Sequence, residues 1–211
     1  MTTTLDPRAA YELWADVYPA EAHNPLMAAE EQTVRDILVR ISARRALDVG
    51  TGSGRYLPIL AARVPLVVGV DLSMAMLKAG PASRRVRGDA CRLPFSALAF
   101  DLVNASLMVG DVSNLNAWTR EMARVLSPGG HIVYSDFHPV WSERGWQRTF
   151  RTADGVLRAV AFTPHAIESH VAALQASGLS VLTVREPKLT VGRTETPVLT
   201  VVHAVKSGGG R

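Results

Sequence analysis

Between positions 47 and 54 the chain reads Leu47-Asp-Val-Gly-Thr-Gly-Ser-Gly54, a short β-type run that breaks into alternating glycines ahead of a helical stretch. Glycines there let the backbone come closer to a bound group than any side chain allows, and the N–H groups of a helix start favour negatively polarised atoms. A nucleotide-like cofactor fits that chemistry. The spacing is G-x-G-x-G, whereas the dinucleotide fingerprint G-x-G-x-x-G would need glycine where this chain has Arg55. Asp71 closes the next β run, where a carboxylate can accept both hydroxyls of a free ribose at the switch point of an open α/β sheet. His138, in Ser135-Asp-Phe-His-Pro139, follows a later strand and is a candidate base or orienting group for a second reactant; His23 is another. Arg144, Arg148 and Arg151 could pair with an anionic reactant or form a solvated face, while His165 and His170 read as surface or structural residues.

The elements that must position these residues alternate. Apolar residues Leu26, Val34, Ile37, Leu38 and Ile41 recur at helical spacing behind Asn24-Pro25, which predicts a helix over 26–41. A β run over 45–50, a helix over 55–63 and a β run over 66–71 make a βαβ unit. Ser73 is the expected N-cap of the next helix, followed by strands over 85–88 and 100–108. A helix over 115–126 should stop at Ser127-Pro-Gly-Gly130, with a strand over 130–135 after it. Residues 136–160 read as irregular, with an insertion over about 138–160 that could shape a pocket. A helix from about 163 to 177 precedes two β runs, 179–185 and 198–205; the loop 188–197 is too short for a crossover, so these runs should pair antiparallel. The fold class expected is α/β, doubly wound, with a mostly parallel seven-stranded sheet, Rossmann-like, and an antiparallel final strand.

Composition narrows the alternatives. With 211 residues, 47% hydrophobic and 20% charged, the chain can bury one sizeable core, read as a single domain over 1–206 with a helical lid over about 1–42 and a flexible tail at 207–211. The single Cys91 rules out an intrachain disulfide and offers no metal cluster, so no metal is expected and a reducing, cytoplasmic setting is. The start Met1-Thr-Thr-Thr-Leu-Asp6 has no basic region leading an apolar stretch, and no run of about 18 apolar residues occurs, which disfavours secretion and membrane insertion. The net charge of +4 is scattered among acids rather than gathered into a stripe, so nucleic acid is a disfavoured partner. The oligomeric state is not readable.

Five segments in order carry a resemblance: the glycine run through Arg55, Val68-Gly-Val-Asp-Leu-Ser-Met-Ala-Met-Leu77, Gly88-Asp-Ala90 ahead of Leu93-Pro-Phe95, Phe100-Asp-Leu-Val103, and Arg124-Val-Leu-Ser-Pro-Gly-Gly130. Together they resemble the class I S-adenosylmethionine-dependent methyltransferases, especially the small single-domain kind that includes malonyl-carrier-protein and ubiquinone or menaquinone methyltransferases. The resemblance implies S-adenosyl-L-methionine as cofactor and a small-molecule methyl acceptor, O-methylation standing slightly ahead. It implies that Gly50, Gly52 and Gly54, with Asp48 and Thr51 of the same segment, surround the methionine part. Asp71 would hold the ribose, Leu72 and Met76 would line the adenine, Asp89 would accept from its amino group and Ala90 would offer its N–H. Asn104 and Ala105 would meet the methionine portion by backbone, and Tyr18 of the lid would touch the cofactor. An alternative reading of Trp14 and Tyr18 is simple packing at i and i+4. The rival functions are a non-catalytic S-adenosylmethionine-binding protein and a nicotinamide-dependent oxidoreductase, the second opposed by Arg55.

Overall fold

Side-chain caps start the helices where the sequence offers them. The computed structural model describes residues 2–80 and 84–208; the last part of the expected tail, 209–211, lies outside the described residues. The chain opens with β1 (Thr3–Leu5), α1 (Pro7–Trp14), a 3-10 turn (Ala15–Val17) and α2 (Pro25–Leu38). Asp6 accepts from Ala9 N before α1 and Asn24 accepts from Met27 N before α2, each with proline at the first helical position. Then come β2 (Arg45–Val49), α3 (Leu57–Ala61), β3 (Leu66–Asp71), α4 (Met74–Ala79), capped by Ser73, and β4 (Arg85–Arg87). Next are β5 (Phe100–Ser106), a 3-10 turn (Val109–Asp111), α5 (Leu115–Val125) and β6 (Leu126–Phe137). The remainder is α6 (Val140–Glu143), β7 (Arg148–Arg151), β8 (Leu157–Val160), α7 (Ile167–Ala176), β9 (Leu179–Arg185), β10 (Lys188–Val191), β11 (Thr194–Pro197) and β12 (Leu199–Lys206).

Among the described residues the central sheet has seven strands in the order β4-β3-β2-β5-β6-β12-β9. β2 pairs parallel with β3 and β5, and only β12, the last strand, runs antiparallel, to both β6 and β9. This is the expected fold class. Successive residues of a strand face opposite layers, and β2 shows it: Leu47 joins Trp118 and Met122 of α5 and Leu174 of α7, while Ala46 joins Val34, Ile37 and Leu38 of α2. Each fully buried side chain of that size contributes roughly 1.5–3 kcal/mol, so the sheet edge that carries the glycine run is rigidly held.

Several boundaries differ from expectation, for local reasons. The helix after the glycines is only Leu57–Ala61, because Gly50, Gly52 and Gly54 take φ of +66°, +55° and +96° and the turn runs on to residue 56. Strand β5 stops at Ser106 because Leu107 turns into the left-handed region, φ +56°. The turn at 127–130 lies inside β6: Leu126 already pairs with Phe100, and the register shifts between Phe100 and Leu102 to absorb the extra residues around Gly129. The expected loop 188–197 is the β10–β11 hairpin, with Gly192 at φ +67° in its turn. The stretch read as irregular, 136–160, holds α6 and an antiparallel β7–β8 pair, and β1 adds to β8 in parallel. The last helix starts at Ile167 rather than near 163, after an extended Ala166 without a side-chain cap.

Candidate active site

A carboxylate stands at or just past the carboxyl end of each of β2, β3, β4 and β5. Asp48 lies beneath the glycine turn, 2% exposed, accepting from Thr51 Oγ1 at 2.6 Å and from Asn104 Nδ2 at 2.8 Å. Burial pushes its carboxyl up to about 6, against those two hydrogen bonds. Asp71 accepts from Gly52 N and Ser73 N, both at 2.8 Å, and burial raises it too. Asp89 accepts from Cys91 N at 2.7 Å. Asp111 closes the 3-10 turn after β5, and burial raises its carboxyl while Arg148 pulls it down.

All four line a cavity of about 180 Å³ together with Tyr18, Gly50, Thr51, Gly52, Leu72, Met76 and Ala90. Three expected residues stand apart from it. Gly54 shapes the turn without lining the wall, and Asn104 and Ala105 are wholly buried in β5, where Asn104 holds Asp48. The strand runs on beyond them, so Ser106, Leu107 and Met108 line the wall in that region. Arg55 is tied by Nη2 to Glu30 of α2 at 2.8 Å, and Glu30, wholly buried, also accepts from Tyr56 and Ser135. That network fastens α2 to the end of the glycine turn.

A second cavity, about 640 Å³, lies beside the first; Tyr11, Tyr18 and Leu107 line both. Its walls include Trp14, His23, Met27, Phe137, Trp141 and Arg148, with Leu189 to Val191 of β10. Of the two candidate histidines, His23 lines this cavity and His138 lines neither. His138 Nδ1 accepts from Val140 N at 3.1 Å, and its Nε2 meets Glu186 at 2.9 Å. His165 bonds Val112 O and His170 meets Tyr134, both away from the cavities.

Sequence reasoning missed the boundary between the cavities. Arg148 Nη2 donates to Asp111 and Nη1 to Tyr11 Oη at 3.1 Å, with its side chain 10% exposed. Burial works to lower the guanidinium, and Tyr11 and Asp111 more than offset this, so it stays charged. Asp111 follows the pattern of carboxylates after parallel strands and was therefore findable; its partners, contributed by α1 and β7, carry no local signal.

The comparisons with known proteins agree with this geometry. Residues 47–134, which hold the glycine turn, Asp71, Asp89 and Asp111, match the family model described as a methyltransferase domain. A demethylmenaquinone methyltransferase of Roseiflexus sp. (strain RS-1) is 34% identical to this chain over 137 residues, 59% of this chain and 58% of that protein. The chain thus matches less than two thirds of that relative's length. Beyond that matched stretch the fold is also similar to solved structures. A crystal structure of an S-adenosylmethionine-dependent methyltransferase from Mesorhizobium loti superposes with TM-score 0.68 at 24% identity, over 84% of this chain and 97% of that one. The cyclase SpnF superposes equally well, TM-score 0.68 at 18% identity, over 99% and 98%. One fold thus carries different named activities, and the site has to decide between them.

Proposed function

We propose that the chain is an S-adenosylmethionine-dependent methyltransferase that acts on a small-molecule acceptor held in the larger cavity. The observation that carries this reading is the meeting of the two cavities at Tyr11, Tyr18 and Leu107, one walled by strand-end carboxylates and the other by aromatic rings. The residues of the smaller cavity fit the cofactor. Gly52, at φ +55°, leaves open a space in which a Cβ would come within 3.1 Å of Met76 Cε. With Asp111 already paired to Arg148, the carboxylates of Asp48, Asp71 and Asp89 suit a ligand rich in donors that also bears a sulfonium and an ammonium group. Asp71 would hold the ribose hydroxyls, Leu72, Met76 and Ala90 the adenine, Asp89 its amino group, and the backbone from Gly50 to Gly54, with Asp48 and Thr51 beneath it, the methionine portion. Tyr18 would close over the cofactor.

When bound, the cofactor supplies a methyl carbon activated by its sulfonium sulfur. The chain's own work is to align the acceptor and keep water out, which Tyr11, Trp14 and Tyr18 do from the lid. Leu107 holds a strained left-handed φ where the two cavities meet, a place where fixed geometry serves the reaction. Transfer to oxygen is the preferred reading, because a single imidazole suffices to take a hydroxyl proton. We place that role at His23. The experiment is a turnover assay for S-adenosylhomocysteine with a panel of hydroxylated ring compounds. His23→Gln should lower kcat by roughly 10²–10⁴-fold with cofactor affinity kept, and His138→Ala should leave kcat nearly unchanged. Cofactor binding with no turnover on the panel would favour the non-catalytic reading instead.

The relatives' name points to a quinone-type acceptor, and such a ring is one acceptor this reading admits. Yet of the residues lining the larger cavity only Leu107 lies within the matched 47–134. Acceptor choice therefore rests on α1, β7 and the β10–β11 hairpin, outside the shared domain.

A further inference from the structure

Among the described residues lining the larger cavity, Arg148 is the one carrying a permanent charge, and His23 is the only other titratable group besides Tyr11 and Tyr18. Its charge is already paired, although its Nε is buried without a hydrogen-bond partner. Asp111 and Tyr11 take its two terminal nitrogens, its Cζ lies 5.4 Å from the Phe137 ring centre and 5.7 Å from that of Tyr11, and Asp111 is itself nearly as buried, 12% exposed. The ion pair straddles the boundary: Asp111 lines the smaller cavity and Arg148 the larger. An anionic acceptor would have to leave water for a pocket whose cation is already paired with a carboxylate, and whose remaining walls are aromatic and aliphatic side chains with the uncharged polar groups of Asn24, Gln147, Thr149 and Thr190. An uncharged ring, even one bearing a hydroxyl or amide, loses far less hydration by the same step and gains edge and face contacts with the aromatic walls.

We infer, on the reading that the larger cavity holds the methyl acceptor, that this acceptor is an uncharged, planar, ring-bearing molecule and that Asp111 sets the selectivity by neutralising Arg148. Asp111 is then a specificity residue, distinct from any group that moves a proton. Of the two sequence readings of Arg148, a partner for an anionic reactant or part of a solvated face, neither describes this buried ion pair, in which the protein supplies the anion itself.

The test uses the whole chain and an isosteric pair of probes, naphthamide and naphthoate, titrated calorimetrically at about pH 8, above the ordinary imidazole range, with and without S-adenosylhomocysteine. The wild-type protein should bind naphthamide at least about tenfold more tightly than naphthoate, and Asp111→Asn should raise naphthoate affinity by about tenfold. Arg148→Met, which leaves Asp111 as the uncompensated charge, should weaken naphthoate further. Val191→Trp, on the surface hairpin, should cost naphthamide about tenfold while S-adenosylhomocysteine affinity stays the same. Equal or tighter binding of naphthoate to the wild type, no binding of naphthamide, indifference to Val191→Trp, or no gain of naphthoate on a folded Asp111→Asn would each overturn the inference. Failure to bind S-adenosylhomocysteine would sink the cofactor reading alone, since the naphthamide titration in buffer still reports on the larger cavity. The wild-type comparison needs no variant, so misfolding of Asp111→Asn does not shield the claim.

Discussion

Asp71 accepts N–H bonds from Gly52 and Ser73, so its carboxylate orders the glycine turn and the start of α4 at once and still has lone pairs turned toward the cavity it lines. Removing it should therefore loosen the cofactor cradle as well as delete two acceptors. Asp71→Ala is expected to weaken S-adenosylhomocysteine binding by about 1.5–3 kcal/mol, and Asp71→Asn by less; unchanged affinity for the alanine variant in calorimetry would remove Asp71 from the site. Asp71 and Asp89 were legible because a carboxylate at a strand end is a local pattern, visible within a few residues. Asn104 and Ala105 lie within the strand instead of on the cavity wall: the sequence reading ran β5 on to Met108, and nothing in it announces that Leu107, a residue with a side chain, takes φ +56° and turns the chain there. The Arg148–Asp111–Tyr11 contacts span separations of 37 and 137 residues, and such pairings arise only when three elements have already packed.

Part of the larger cavity's wall, from α1 and β7, belongs to a small unit of its own. β1, β8 and β7 make a three-stranded sheet over a cluster of Ala10, Phe150 and Val160, and Trp14 stacks on Phe150 with ring centres 4.7 Å apart. The N-terminal segment is thus joined to residues 148–160 by strand pairing, which brings α1 and β7, so distant in the chain, into one wall. Phe150→Ala should cost roughly 3–5 kcal/mol if the unit unfolds with the rest, or should appear as local opening if it does not. We expect the second. Hydrogen exchange of β1, β7 and β8 should speed up with that of β2, β3 and β5 unchanged; uniform acceleration would show a single cooperative unit. The helices and strands of the central sheet were legible from apolar periodicity and caps such as Asn24 and Ser73. The β10–β11 hairpin was not, although Gly192 between two short β runs is the signal that could have found it.

Across the whole molecule, buried groups titrate in opposing directions. Burial holds Asp48 at about 6 and Asp136 at about 7, above the ordinary 3.8, so their cost to stability is absent below the unfolded value and fully present above the folded one. Burial, with the neighbouring His165, lowers His170 to about 4, and burial with His131 and Arg185 brings His203 to the same value; their contribution is instead lost as pH falls from about 6.5. Between pH 4 and 7 the two sets oppose each other. Urea unfolding of Asp48→Asn across that range should gain on the wild type as pH rises, by about 3 kcal/mol in all, and parallel curves would contradict the assignment. On the proposed function, one ligand-binding edge joins a cofactor cavity built mainly by residues 47–134 to an acceptor cavity built by α1, β7 and the β10–β11 hairpin. Hydrogen–deuterium exchange with and without S-adenosylhomocysteine tests it most directly. The predicted result is protection at Gly50 to Gly54, at the start of α4, at Asp89 and Ala90 and in α1, with β10 and β11 unaffected until a ring acceptor is added; protection absent from the glycine turn, or confined to another face, would contradict it.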